Sequence, residues 1–138
     1  MSVAPMFSLV GKRAVVTGGS RGIGGAVSEL LAECGAHVCV GYRSRRAEAA
    51  AMVARLVTRG VRATAFAGDL GEASGADGLI GAAVAEFGGV DIVVHSAGIW
   101  PVEDVPVHEM SDERWRRTMR ENLDAMFFVS RAAARVMG

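Results

Sequence analysis

Between an apolar run, Arg13 to Thr17, and a segment with helical apolar spacing, the chain reads Thr17-Gly18-Gly19-Ser20-Arg21-Gly22-Ile23-Gly24. Nothing else in the sequence restricts the fold as much. A strand that runs straight into a helix needs a sharp turn, and glycine reaches left-handed backbone without steric penalty. Gly18 is expected to allow the bend, Gly22 to let a phosphate approach the backbone, and Gly24 to let helix pack closely on strand. The free amides and the dipole at such a helix start suit a pyrophosphate. The turn is not a P-loop, since no Gly-Lys-Ser/Thr follows, and Val27 stands where Gly-x-Gly-x-x-Gly would need its last glycine.

Downstream, short β-rich runs alternate with longer helical patterns. Ile23, Ala26, Val27, Leu30 and Leu31 predict the inward stripe of the first helix, which Gly35 ends. His37 to Tyr42 predicts a second strand, and Ser44 a cap for a helix that runs to about Arg59 before Gly60. Val61 to Ala67 predicts a third strand, and Ser74 to Phe87 a helix with Ile80, Ala83, Val84 and Phe87 on one face, stopped by Gly88 and Gly89. Val90 to His95 is almost continuously apolar, broken by Asp91, as in a strand covered on both faces. After a Pro-containing loop, Ser111 with Asp112 and Glu113 starts a last helix expected to reach Met137, with Met119, Leu123, Met126, Phe127 and Ala134 as its stripe. This alternation is that of βαβ units, so the expected fold is α/β, a Rossmann-type doubly wound parallel sheet. It is read as one dinucleotide-binding domain over residues 1–138, truncated after four strands and the following helix, since no fifth strand follows.

Composition narrows the function classes. With 51% apolar residues in 138, the chain is long enough for a core without disulfide or metal staples. Fifteen basic against fifteen acidic residues give no field to gather nucleic acid or an anionic membrane. No apolar run approaches a membrane span, and Met1 to Val10 has neither the basic nor the apolar region of a signal peptide. Cys34 and Cys39 lack metal-ligand spacing and read as core residues in a reduced, cytoplasmic setting, and no metal site is expected. The chain holds one tyrosine, Tyr42, and one lysine, Lys12, so chemistry that needs Tyr and Lys on adjacent helix turns is excluded.

The strand-bounded spacing Thr-Gly-x-x-x-Gly-x-Gly resembles the short-chain dehydrogenase/reductase family, and further positions follow in register over essentially the whole chain. Asp69-Leu70 resembles the family's adenine-binding Asp, and Ala97-Gly98 in His95-Ser96-Ala97-Gly98 keeps half of the usual Asn-Asn-Ala-Gly. Asn122-Leu123 matches the family's Asn, a member of its catalytic tetrad, which makes Asn122 the catalytic candidate here. The resemblance implies cofactor contacts at Gly18, Ser20, Arg21, Gly22, Ile23, Gly24, Arg43, Ser44, Asp69, Leu70, Ser96, Ala97 and Gly98. After the second strand stands Tyr42-Arg43-Ser44-Arg45-Arg46, with no acid before Glu48. A carboxylate there would bond a ribose 2′-hydroxyl, whereas a guanidinium suits a 2′-phosphate. With Arg21 as a second basic position, NADP(H) is expected over NAD(H). Arg45 and Arg46 also fit a solvated helix start.

The family reaction is hydride transfer between nicotinamide cofactor and a carbonyl or alcohol, and these residues look most like bacterial 3-oxoacyl-[acyl-carrier-protein] reductase relatives. Family members use a Ser, a Tyr and a Lys four residues after it, which this chain lacks. Tyr42 sits beside the adenosine end and Lys12 at the start of the first strand, while His95 and His108 show no partner arrangement. The 138 residues are therefore expected to carry the cofactor-binding half of an oxidoreductase, without turnover of their own. The alternatives are a non-catalytic NADP-binding module and an interaction fragment that joins full-length relatives through the last helix. An uncovered fourth strand and last-helix stripe favour association into a homo-oligomer.

Overall fold

The structure, a computed structural model, describes residues 6–138. The first five residues of the stretch Met1 to Val10, read above as carrying no targeting signal, lie outside the described residues. Four strands form one sheet: β1 (Arg13–Thr17), β2 (His37–Tyr42), β3 (Ala63–Ala67) and β4 (Ile92–His95). All pairings are parallel and the order is β3-β2-β1-β4. Five α-helices connect and follow them: α1 (Gly22–Glu33), α2 (Arg46–Val57), α3 (Ala73–Phe87), α4 (Asp112–Met119) and α5 (Ala125–Ala134).

The sheet is covered on both faces, as a doubly wound fold requires. On one side Val16, Val38 and Val40 pack with Ala32 of α1 and with Met52 and Leu56 of α2. On the other, Val15 and Cys39 pack with Leu79, Ile80 and Ala83 of α3 and with Ala132 and Ala133 of α5. Alternate side chains of β1 and β2 thus feed two cores, which is why both strands are continuously apolar. Asp91, the polar break before β4, receives the Arg13 amide and Nε at 2.9 Å each and Nη2 at 3.1 Å. This forked bond holds the Asp91 carboxyl at about 2 and locks the register of β4 on β1. β4 is an edge strand and only half buried, yet it is covered on both faces as expected, with Val93 packed on one core and Val94 on the other.

Two apolar stripes differ from expectation, each for a physical reason. In α1 the buried residues are Gly24, Gly25, Ser28 and Ala32, whereas Ile23 is 80% and Leu30 46% exposed. The helix start lies too close to the β1 turn and to α2 for larger side chains; a Cβ on Gly24 would overlap Gly18 O, and one on Gly25 would stand 3.1 Å from Met52 Cε. Apolar periodicity therefore marks the inward face only in part: Val27 and Leu31 pack on the core as expected, while Ile23, Ala26 and Leu30 are exposed and small residues make the close contacts.

The last helix is not one helix. Ser111 caps α4 as expected, its hydroxyl accepting from the Arg114 amide at 3.1 Å. A π-helical turn, Arg120–Asp124, then separates α4 from α5. The added residue rotates everything downstream by about 100°. The buried face becomes Ala125, Val129, Ala132 and Ala133, and Leu123, Met126, Phe127 and Ala134 face outward. Ser44 does not cap α2 with its side chain; Arg45 is the N-cap, and Ser44 contributes only its carbonyl, to the Arg46 amide at 3.1 Å.

Candidate cofactor cleft

β1 pairs with β2 on one side and β4 on the other, and the chain leaves the sheet in opposite directions at that point. Parallel α/β sheets open a crevice beyond the strand C-termini at such a switch. Here the crevice is a cleft of about 820 Å³. Gly18, Ser20, Arg21, Gly22, Ile23 and Gly24 line it from the β1 turn, Arg43 and Ser44 from β2, Asp69 and Leu70 from β3, and Ser96, Ala97 and Gly98 from β4. The turn, the three strand ends and the loops after them thus bring every expected cofactor contact to one cavity. Asn122 does not line it.

Backbone builds the β1 side. Gly18 has φ +61° and Gly22 φ +57°, both left-handed. A Cβ on Gly18 would come within 3.1 Å of the Ala97 backbone, and one on Gly24 would overlap Gly18 O, so side chains at these positions would force turn, helix and β4 loop apart. At Gly22 a Cβ meets no protein atom, which leaves that position open to the cleft. The Gly25 amide is the first to close a helical bond, on Arg21 O, and no side chain caps the helix start. The amides of Gly22, Ile23 and Gly24 are therefore the orphan donors of a helix N-terminus facing a cavity. Beneath them the buried Ser28 hydroxyl shares its proton between Gly19 O at 3.0 Å and Gly24 O at 2.9 Å. Ser28 braces the turn, and only its place among small residues hints at this in the sequence.

Thr17 sets the β4 loop. Its Oγ1 accepts from the Ser96 amide at 3.0 Å and the Ala97 amide at 3.1 Å, and lies 3.2 Å from His95 Nδ1. With both lone pairs engaged, the hydroxyl proton goes to Nδ1, which makes His95 the neutral Nε2–H tautomer. Burial lowers the His95 pKa, in accord with a neutral ring, and Nε2 is buried without a partner. Asn122, in the π turn, receives the Ile99 amide on Oδ1 at 2.7 Å and donates from Nδ2 to Ile99 O at 2.9 Å. Both halves of its amide are engaged with one backbone unit, so here Asn122 positions the segment after Gly98.

Charged side chains build the opposite rim. Arg120 Nη2 reaches Asp69 Oδ2 at 2.8 Å and Glu72 Oε1 at 2.9 Å, and its Nη1 reaches Glu121 Oε1 at 3.1 Å. The Arg120 hydrogen bond holds the Asp69 carboxyl below the usual range, aided by the Gly71 amide. Asp69 Oδ1 keeps unfilled acceptor positions beyond that amide, at 3.0 Å. Sequence reading missed Arg120 and Glu121, whose partners lie 51 and 78 residues away. No carboxylate pairs with Arg21 among the described residues.

Outside the cleft the two cysteines are core residues. Burial pushes the Cys39 thiol up to about 12, and Cys34 is buried too. Among the described residues no group of His, Cys, Asp and Glu could hold a metal ion, and no helix is long and apolar enough to cross a membrane.

Comparison with known proteins agrees with this geometry. The family described as short chain dehydrogenase matches residues 12–138. An uncharacterized oxidoreductase of Methylorubrum extorquens is 38% identical over 133 residues, 96% of this chain and 53% of that protein. A dehydrogenase/reductase from Sinorhizobium meliloti 1021 superposes with a TM-score of 0.90 at 39% identity, over 99% of this chain and 54% of that one. A short chain dehydrogenase from Burkholderia cenocepacia J2315, crystallised in complex with NADP, gives a TM-score of 0.88 at 37% identity, over 94% and 52%. The chain spans about half the length of these relatives. Left-handed glycines at a helix start, a cleft at the switch point and a match over 12–138 lead to one assignment: the chain belongs to the short chain dehydrogenase family.

Proposed function

We propose that residues 1–138 form an incomplete cofactor-binding domain of an NADP(H)-dependent oxidoreductase acting on a small carbonyl or alcohol, in a cytoplasmic setting. The observation that carries this reading is the left-handed Gly22 at the uncapped start of α1, open to the same cleft as Arg21, Arg43 and Ser44. The amides of Gly22 to Gly24 and the nearby Ser20 hydroxyl fit a pyrophosphate, which gains from the helix dipole as well as from the hydrogen bonds. Asp69 and Leu70 fit an adenine, with a carboxylate acceptor for its amino group beside an apolar surface. Ser96, Ala97 and Gly98 fit the span toward the nicotinamide, and Arg21, Arg43 and Ser44 fit a ribose 2′-phosphate. The relative solved in complex with NADP supports the phosphorylated cofactor by likeness. When bound, the cofactor supplies or accepts the hydride.

Tyr42 lines the cleft at the end of β2, and Lys12 precedes β1 at the opposite edge of the sheet. A phenol activated by an ammonium one helix turn away has no counterpart in that arrangement. In our reading the chain by itself binds cofactor and does not turn over, and Asn122 acts by holding the Ile99 segment. The exposed Leu123, Met126 and Phe127 support association with further copies through the last helix, which sedimentation of the purified chain would reveal as a species larger than a monomer.

The test is fluorescence titration of NADPH against the chain and its Gly22→Arg variant. Saturable binding lost in the variant supports the reading, and absent or equal binding overturns it. NADPH-dependent carbonyl reduction above the Gly22→Arg control would overturn the claim that the chain lacks turnover.

A further inference from the structure

The guanidinium assigned to the 2′-phosphate is not free. Arg43 Nη1 donates to Glu121 Oε1 at 2.8 Å, and Nη2 lies 3.5 Å from Asp69 Oδ2. Arg43 and Glu121 both line the cleft, one from the end of β2 and the other from the π turn. Their ion pair ties two rims of the cavity together. The Glu121 side chain is 15% exposed and that of Arg43 58%, so the acid sits in the cleft wall while the base is open to solvent and to a ligand. Arg120 Nη1 also holds Glu121 Oε1, at 3.1 Å, and keeps it compensated when Arg43 departs. The exchange therefore strands no buried charge, which is the usual obstacle to breaking such a pair.

We propose that Glu121 is a specificity-determining residue that competes with the ribose 2′-phosphate for Arg43, an inference that rests on the NADP(H) reading above. A phosphate monoester carries more charge than a carboxylate and offers three acceptor oxygens, so it draws Arg43 away. A ribose with a free 2′-hydroxyl presents no anion, and Arg43 stays on Glu121. Glu121 thus weakens binding only for ligands that carry the 2′-phosphate. This sets how strongly the cleft prefers them.

Calorimetric titration of the chain with adenosine 2′,5′-bisphosphate and with adenosine 5′-monophosphate tests this. Glu121→Gln keeps the shape and removes the charge. It is expected to tighten the bisphosphate about fivefold and to change the monophosphate less than about twofold. Glu121→Asp, which shortens the reach to Arg43, is expected to act in the same direction and serves if the first variant unfolds. In an Arg43→Gln background the gain disappears, because the two residues act as one pair. An equal gain for both nucleotides, no gain, or a gain that survives Arg43→Gln would overturn the proposal. If the unsubstituted chain shows no preference for the bisphosphate, the NADP(H) reading falls and takes this inference with it. A preference that Glu121 substitutions leave untouched overturns this inference alone.

Discussion

The two sides of the cleft are made of different material. The β1 turn is built from backbone, with left-handed glycines, helix-start amides and a serine brace beneath them. The opposite rim is built from side chains, with Arg43, Asp69, Arg120 and Glu121 held by one another. Backbone geometry is a requirement of the fold itself, so a change in the turn should damage stability and binding together. An exposed ion-pair rim contributes little to folding and much to ligand choice, so a change there should separate the two.

The largest expected effect is at Gly24. A Cβ there overlaps Gly18 O, a backbone atom that yields only if the turn moves. Gly24→Ala should destabilise the chain by about 3 kcal/mol in denaturant unfolding and abolish NADPH binding with it. A stable Gly24→Ala protein that still binds would erase the distinction between the two sides.

Ser28→Ala comes next. It removes a buried hydroxyl and leaves Gly19 O without that donor, an effect of about 1–2 kcal/mol on stability. Binding should weaken as the turn loosens, measured by the same titration.

The β4 loop yields a smaller, pH-dependent effect. His95 has a lowered pKa in the fold and an ordinary one, about 6.5, when unfolded. The unfolded chain therefore takes up the proton first, and stability is full above about 6.5 and declines as pH falls below it. Thermal unfolding across that range should show the decline, and His95→Asn should flatten it. A slope of the opposite sign would contradict the neutral Nε2–H assignment.

The smallest stability effect is expected at Arg43. Its side chain is more than half exposed, so Arg43→Gln should shift stability by less than about 1 kcal/mol while removing the preference for NADP+ over NAD+. A large stability loss would mean that the rim is structural as well.

The same contrast explains what the sequence discloses. β1 and β2 are predicted residue for residue, because buried parallel strands are written as continuous apolar runs and Gly-rich punctuation marks their ends. Gly18, Gly22 and Gly24 are legible because a backbone constraint leaves a fixed spacing. The face of α1 is legible only in part, since Val27 and Leu31 pack as their spacing predicts, but the helix start is pressed against the β1 turn and α2, where only small side chains fit, and Ile23 turns to the cleft. The π turn is not legible, because one added residue in Arg120–Asp124 changes no composition yet rotates all that follows. Nor does local pattern connect Arg43 to Glu121, 78 positions away; only the sheet order brings them to one cavity.

A crystal structure of the chain grown with NADP+ tests the division most directly. The account predicts the pyrophosphate against the amides of Gly22 to Gly24, and the 2′-phosphate at Arg21 and Arg43 with Arg43 released from Glu121. A dinucleotide bound away from that helix start, or a 2′-phosphate that no arginine touches, would contradict it.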